Sequence, residues 1–159
     1  MQQKYKTLRL ILGDQLNLQH SWYNERDSTV LYVIMELRTE TDYVWHHIQK
    51  ICAFFAAMEN FADLLKSKGH EVLYLKLDDP SNRQNFEDNS EDLIKKYNIQ
   101  KFEYQLPDEF RLDKDLKTLC DKLPIATQAY DTEHFYTDRE ELGSFFSGKK
   151  GLLMENFYR

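Results

Sequence analysis

The sequence of 159 residues has only two cysteines, three prolines and five glycines, and it has no long hydrophobic run. Two thiols cannot ligate an iron–sulfur cluster or an all-cysteine zinc site. Cys52 and Cys120 lie in apolar helical patterns, which predict small, buried side chains. No apolar stretch approaches the roughly 20 residues of a membrane span, and nothing after Met1 resembles a signal peptide. We therefore predict a cytoplasmic protein without membrane association.

Motifs for phosphate binding and for catalysis are also lacking. There is no G-x-G-x-x-G, no Walker lysine and no H-E-x-x-H. The adjacent His46 and His47 would point about 100° apart on a helix, which favours structural histidines over a shared metal ion. The net charge of −6 argues against a free-standing nucleic-acid binder, which needs a basic surface. The residues thus indicate binding without local bond-making chemistry, and no metal site is predicted.

The composition is that of an ordinary globular domain, with 42% hydrophobic and 30% charged residues. Short apolar runs alternate with helical patterns along the chain, which predicts one domain over residues 1–159. Strands are predicted at 8–12, 29–34, 71–77, 101–105 and 125–129, and helices at 40–65, 86–97 and 112–123. This alternation predicts an α/β, Rossmann-like three-layer fold with a mostly parallel five-stranded sheet.

The longest predicted helix opens within residues 40–50, with Thr41 or Asp42 as its cap, and Gly69 is a suitable stop. Its apolar residues recur at spacings of three and four, which indicates one continuous stripe. The stripe contains Val44, Ile48, Ile51, Phe55, Met58, Ala62 and Leu65. A second apolar line runs beside it and predicts that the helix is covered on more than one side. That line contains Phe54, Ala57, Phe61 and Leu64.

Polar side chains follow the first two predicted strands. Gly13 and Asp14 form a strand-end turn after the first, and Glu40 and Tyr43 follow the second. On its own, the glycine–aspartate pair is equally typical of a tight turn in which the carboxylate caps nearby amides. In parallel α/β folds, however, ligands bind beyond the carboxyl ends of the strands. We therefore expect Asp14, Glu40 and Tyr43 to meet in one cleft suited to a ligand rich in N–H and hydroxyl donors.

Two blocks carry a resemblance to a known family: LILGDQLN at 10–17 and ETDYVWHHIQK at 40–50. AMENFA at 57–62 and MENFYR at 154–159 extend it over nearly the whole chain from Leu8. The chain resembles the N-terminal part of deoxyribodipyrimidine photolyase-related proteins, the iron–sulfur bacterial cryptochromes and photolyases. The resemblance implies an α/β antenna domain that holds 6,7-dimethyl-8-ribityllumazine and passes excitation energy to FAD in a following helical domain.

Transferred by motif, Asp14, Glu40 and Tyr43 match the residues that hold the lumazine ring and its ribityl chain. Gly13 would let the ring approach the backbone closely. Phe54 stands where the family tends to have an aliphatic side chain, and its ring would narrow the pocket. The predicted chromophore-binding set is Gly13, Asp14, Gln15, Glu40, Tyr43, His47 and Phe54.

The resemblance further implies where the remaining chemistry of the family lies. FAD, the 4Fe-4S cluster and the surface that takes (6-4) lesions in DNA belong to the helical domain, which is expected beyond Arg159. That FAD-binding domain of the same full-length protein is the expected partner. The chain alone is not expected to bind DNA or to repair it, whereas the full-length protein would act in light-dependent DNA repair or light sensing.

Two alternatives remain open from the residues. The chain could be an interaction module without activity of its own, which packs on a helical domain through Phe145, Phe146, Phe157 and Tyr158 and leaves its pocket empty. An exposed apolar patch on the C-terminal side would favour this interpretation. The chain could also be a small enzyme that uses Glu40 and His47 as acid and base, although the sequence offers no nucleophile or second base.

Overall fold

Short apolar sequences form a five-stranded sheet in the computed structural model, which describes residues 4–158. The strands are β1 (Thr7–Ile11), β2 (Val30–Met35), β3 (Glu71–Leu75), β4 (Lys101–Gln105) and β5 (Ala126–Tyr130). All pairings between these strands are parallel, and their order is β3-β2-β1-β4-β5. All six residues of β2 are buried, as expected for an apolar interior strand. The predicted α/β fold is confirmed, and the sheet is parallel throughout.

Helices cover both faces of the sheet. The helices are α1 (Arg38–Asp42), α2 (Ile48–Ser67), α3 (Phe86–Tyr97), α4 (Phe110–Lys122) and α5 (Glu141–Phe146). Buried side chains of α3 and α4 pack with Leu8 and Leu10 of β1 on one face. Buried side chains of α2 pack with Ile11, Tyr32 and Ile34 on the other. The result is the predicted three-layer arrangement, and it places the carboxyl ends of β1, β2 and β4 at one edge of the sheet.

The long helix does open within residues 40–50, but the prediction that it starts near Glu40, with Thr41 or Asp42 as its cap, is wrong. Residues 38–42 form the separate α1, residues 43–45 form a turn, and α2 begins only at Ile48. The cap is His47, whose ring accepts a hydrogen bond from Gln49 N, and neither predicted cap fills that role. The run from Tyr43 to His47 consists of aromatic, β-branched and imidazole side chains, which are poor helix formers. The helix therefore starts where a side chain can accept from its first free N–H groups.

Burial of α2 is also narrower than predicted. Its buried residues lie in the second half of the helix: Met58, Phe61, Ala62 and Leu65. Ile48 is 65% exposed and Leu64 41%, so the helix is covered on one side within residues 4–158. Cys52, predicted to be buried, is exposed as well. In the first turns of α2, Ile51, Phe54 and Phe55 border open space and are therefore only partly covered.

The remaining bounds agree with the predictions within two residues. Gly69 follows α2 with a φ of +88°, the left-handed conformation typical of a helix stop. Two sequence predictions involve residues outside those that the structure describes. The absence of a signal peptide concerns the first three residues, and the last family-like block ends at Arg159. Within residues 4–158, no helix has the length and apolar character needed to cross a membrane.

Candidate functional site

A cleft of about 230 Å³ opens where the chain leaves β1 and β2. Its floor comes from residues just after these strands, one wall from α2, and the opposite side from the start of α4. Among its lining residues are Leu12, Gly13, Asp14, Leu37, Glu40, Tyr43, Lys50, Ile51, Phe54, Phe55, Met58, Glu109 and Leu112. Five residues of the predicted chromophore-binding set thus lie around one cleft, whereas Gln15 and His47 do not line it.

Asp14 brings a free carboxylate to the mouth of this cleft. The residue sits in the turn after β1, closed by a hydrogen bond from Gln15 N to Leu12 O. In the described part of the chain, the Asp14 carboxylate has no side-chain partner. Partial desolvation raises its pKa, as do the nearby charges of Asp108 and Glu109, although a bond to its own backbone acts in the opposite direction. A ligand N–H or hydroxyl donor would relieve this unfavourable environment.

Glu40, by contrast, is already paired. Both of its carboxylate oxygens accept from Arg111, at 2.8 and 3.2 Å, in a bidentate arrangement. The Arg111 guanidinium also lies 4.5 Å from the centre of the Tyr43 ring. The hydrogen bonds that Arg111 donates to Glu40 and to Glu109 raise the pKa of Arg111, so the cation persists at any ordinary pH. Glu40 therefore presents only its remaining lone pairs to a ligand.

The wall formed by α2 is apolar and tightly packed against the β1 turn. A Cβ atom added to Gly13 would lie 3.0 Å from Met58 Sδ and 3.5 Å from Phe54 Cδ1. The absent side chain of Gly13 thus leaves room for α2 to approach the turn. Phe54 remains 42% exposed and borders the cleft, so its ring limits the space available there.

Gln15 lies under the site and not in it. Its side chain is 2% exposed, accepts from Leu12 N, and donates to the carbonyls of Gln105 and Leu106. These bonds join the turn after β1 to the end of β4. Gln15 therefore fixes the backbone that carries Asp14, a structural contribution to the site.

The two histidines also have local roles. His47 Nδ1 accepts from Gln49 N as the cap of α2, and His46 Nδ1 lies 3.3 Å from Lys50 Nζ. Within residues 4–158, no group of three or more His, Cys, Asp or Glu side chains is placed to hold a metal ion. His47 does not line the cleft, so the structure does not join it with Glu40 there as an acid–base pair.

Sequence reasoning missed three charged residues of the site. Lys50 and Glu109 line the cleft, and Arg111 holds Glu40 from the first turn of α4. Lys50 has a weak signal, since it lies one helical turn before Phe54 and so on the same face of α2. The sequence has no signal for Arg111, because this residue is 71 positions from its partner Glu40 in the chain. The cleft thus combines a free carboxylate, a phenol, an ammonium group and an apolar wall, which suits binding of a flat, polar-edged molecule.

Two comparisons with known proteins bear on this geometry. Residues 9–159 match the family described as "Deoxyribodipyrimidine photo-lyase-related protein". The chain is also similar to a (6-4) photolyase of Agrobacterium fabrum (strain C58 / ATCC 33970), with 30% identity over 155 residues. That alignment covers 96% of this chain and 30% of the relative, so the chain spans less than a third of the relative's length. The chain belongs to the deoxyribodipyrimidine photo-lyase-related protein family.

Proposed function

We propose that this chain is an antenna domain that binds 6,7-dimethyl-8-ribityllumazine in the cleft at the carboxyl ends of β1 and β2. One observation carries the proposal. Asp14, Glu40 and Tyr43, which match the family's chromophore-binding positions, come from two separate segments and line the same cleft.

The chemistry of the cleft supports a ligand of this kind. A lumazine ring is flat, and Ile51, Phe54 and Phe55 give it an apolar wall. The ring N–H and the hydroxyls of the ribityl chain are donors, for which Asp14 offers an unpaired carboxylate and Tyr43 a phenolic oxygen. The cleft is small for such a ligand. Binding therefore depends on how far the exposed part of the Phe54 ring can turn aside.

In the full-length protein, the proposed role of the bound chromophore is to absorb light and to transfer the energy to FAD in the helical part. The residues of this chain would hold and orient the chromophore and shield one of its faces from water. FAD, the 4Fe-4S cluster and contacts with DNA are proposed for the part of the full-length protein outside the matched region. A role in light-dependent repair or light sensing accordingly belongs to the full-length protein.

A titration with ribityllumazine tests the proposal. The purified chain is expected to bind the chromophore with a shift in its absorption spectrum and a change in its fluorescence. Asp14→Asn is expected to weaken binding about tenfold, because the chromophore then loses a charged hydrogen-bond acceptor for one of its N–H or hydroxyl groups. Asp121→Asn removes an exposed carboxylate on α4, far from the lining residues, and should leave binding unchanged. Absence of binding to the wild-type chain, or equal binding by Asp14→Asn, would contradict the antenna role.

An exposed apolar patch near the C-terminus favours a second candidate, the interaction module. Phe145, Phe146 and Phe157 contact one another through their rings, with centroids 4.9 to 6.3 Å apart. These three rings are partly exposed; Tyr158, whose ring contacts Phe157, is 77% exposed, and Leu152, close to them in the chain, is 72% exposed. Exposed apolar side chains beside a cluster of aromatic rings are typical of a surface that packs on another domain.

Coexpression tests this second candidate. The chain is produced with the part of the Agrobacterium fabrum (6-4) photolyase that lies outside the matched region. Copurification that is lost in Leu152→Ser is expected if the patch is a packing surface. As a control, Leu64→Ser changes an equally apolar, exposed residue of α2. Equal copurification of all three chains would contradict the assignment of the patch.

A further inference from the structure

The segment that forms the rim of the cleft, residues 38–47, has few contacts with the rest of the protein. It includes the five-residue α1 and the turn and coil that lead to α2. Tyr43 and Val44 are each about half exposed, and Trp45 is fully exposed. Packing into the core therefore does not fix this segment, although it carries two of the predicted ligand-binding residues.

Specific polar contacts attach the rim segment, and most of them are local. At its start, Arg38 N donates to Gln84 Oε1 at 3.3 Å. Thr41 bonds within the segment, His46 contacts Tyr43 and Lys50, and His47 caps α2. Within the described residues, every hydrogen bond, ion pair or ring contact from residues 39–47 to a residue outside 37–51 is made with Arg111.

Arg111 is well placed for this task. Its Nη1 and Nη2 donate to the two oxygens of Glu40, while Nε donates to Glu109 Oε1 at 2.9 Å. Its guanidinium lies 4.5 Å from the Tyr43 ring centre. One planar cation thus holds α1 through Glu40 and the following turn through Tyr43, and Glu109 fixes its orientation from the start of α4. Lysine could supply the charge but not the planar, multiply bonded arrangement.

We propose that Arg111 is a positioning residue that clamps the rim segment onto α4 and so sets the geometry in which Glu40 and Tyr43 face the cleft. Arg111 itself does not line the cleft. Its effect on a ligand therefore passes through these two residues. The part of this inference that concerns ligand affinity rests on the proposed function, whereas the clamp itself is a property of the ligand-free chain.

Amide hydrogen exchange measured by mass spectrometry tests the clamp without any ligand. In Arg111→Met, amide exchange across residues 39–47 is expected to become about ten times faster. The wild-type segment must break the bidentate pair and the ring contact in order to open, and the variant has neither. Arg111→Lys should give nearly the same increase, since one ammonium group cannot replace the fork. Lys122→Met is the matched control: it removes another cation of α4 that pairs with a different element, through Glu87 at 2.7 Å. It should leave exchange in the rim segment unchanged.

A titration with 6,7-dimethyl-8-ribityllumazine adds the functional readout. The dissociation constant is expected to rise about tenfold in both Arg111 variants and to stay constant in Lys122→Met. Unchanged exchange in Arg111→Met, or exchange restored to the wild-type rate by Arg111→Lys, would overturn the clamp, because charge alone would then suffice. A wild-type chain that binds no ribityllumazine would contradict the antenna role, while the exchange data would still decide the clamp.

Discussion

Tyr74 Oη donates a hydrogen bond to Glu36 Oε1, which joins the edge strand β3 to the end of β2. Leu77 N donates to the other oxygen of the same carboxylate at 2.7 Å. Glu36 is 8% exposed, so both oxygens depend on protein donors. Desolvation raises the pKa of Tyr74, and the hydrogen bond to Glu36 raises it further, so the phenol keeps the proton that it donates. A buried acid thus locks the edge strand β3 to β2, one of the two strands whose carboxyl ends form the cleft.

Tyr74→Phe is expected to lower the free energy of unfolding by about 1–3 kcal/mol, because Glu36 Oε1 then lacks a donor in a buried place. Urea unfolding followed by circular dichroism measures the loss. Tyr136→Phe removes a hydroxyl from a fully exposed ring and serves as the control. Equal stability of the two variants would contradict the importance assigned to this bond.

Glu103 ties three strands together and should make stability depend on acid pH. Its carboxylate accepts from Arg9 Nε at 2.7 Å, Lys101 Nζ at 2.6 Å and Tyr130 Oη at 3.1 Å. Burial raises the pKa of Glu103, but the hydrogen bonds from Lys101 and Arg9 outweigh burial and hold it below its ordinary value of 4.5. The ion pairs and hydrogen bonds of Glu103 therefore stabilise the fold at pH values above 4.5. This contribution is lost as the pH falls through the lowered pKa of Glu103.

Glu103→Gln is accordingly expected to cost about 3 kcal/mol of unfolding free energy at neutral pH, since the partly buried Arg9 cation loses its counterion. The difference from the wild-type chain should shrink in the acid range. Unfolding titrations at several pH values measure both effects. Glu91→Gln, which removes a surface i,i+4 pair, should change stability by less than about 0.5 kcal/mol. A pH-independent difference for Glu103→Gln would contradict the ionic origin of the effect.

Asp14 should show the opposite pH dependence. Partial desolvation, helped by Asp108 and Glu109 and opposed by His134, holds its pKa above the ordinary 3.8, so the ionised carboxylate, which water still reaches, slightly destabilises the fold at neutral pH. Asp14→Asn is expected to raise the melting temperature there, and the gain should vanish as the pH falls through the raised pKa toward 3.8. Thermal unfolding across this range, with Asp121→Asn as the control, measures it. A melting temperature lowered by Asp14→Asn at neutral pH would refute this explanation.

Phe54→Leu is expected to enlarge the cleft and to tighten ribityllumazine binding about tenfold, because a smaller, flexible side chain frees space beside the apolar wall. Fluorescence titration gives the dissociation constant. Leu64→Ala shortens an exposed apolar side chain on the same helix, outside the cleft, and should leave the constant unchanged. Weaker binding by Phe54→Leu would mean that the ring itself contacts the ligand favourably.

The sheet was predictable because each strand is marked by a short run of apolar residues that are neighbours in the sequence. A run such as residues 30–35 is apolar at every position, and only a strand covered on both faces can bury it. The turn after β1 was predictable for the same reason, since Gly13 ends the first apolar run. Topology then brings the ends of β1 and β2 side by side, which is why Asp14, Glu40 and Tyr43 share a cleft.

The rest depends on contacts between distant parts of the chain. Arg111 pairs with Glu40 across 71 positions, and Gln15 bonds with the end of β4 across 90. Nothing near either residue in the sequence signals such a partner. The start of α2 was missed for a local reason of another kind. The acidic residues around Glu40 resemble a helix start, and they do start a helix, but the poor helix formers after Tyr43 end it.

The strand order has a consequence for synthesis on the ribosome. β1 lies at the middle of the sheet, yet its second neighbour, β4, comes about ninety positions later in the chain. The half built from β1, β2, α2 and β3 can therefore assemble while one side of β1 still faces water. During that interval Arg9 lacks the carboxylate of Glu103, its later partner. Translation pauses before residue 101 would lengthen the life of a nascent chain with an open, hydrogen-bonding strand at its centre.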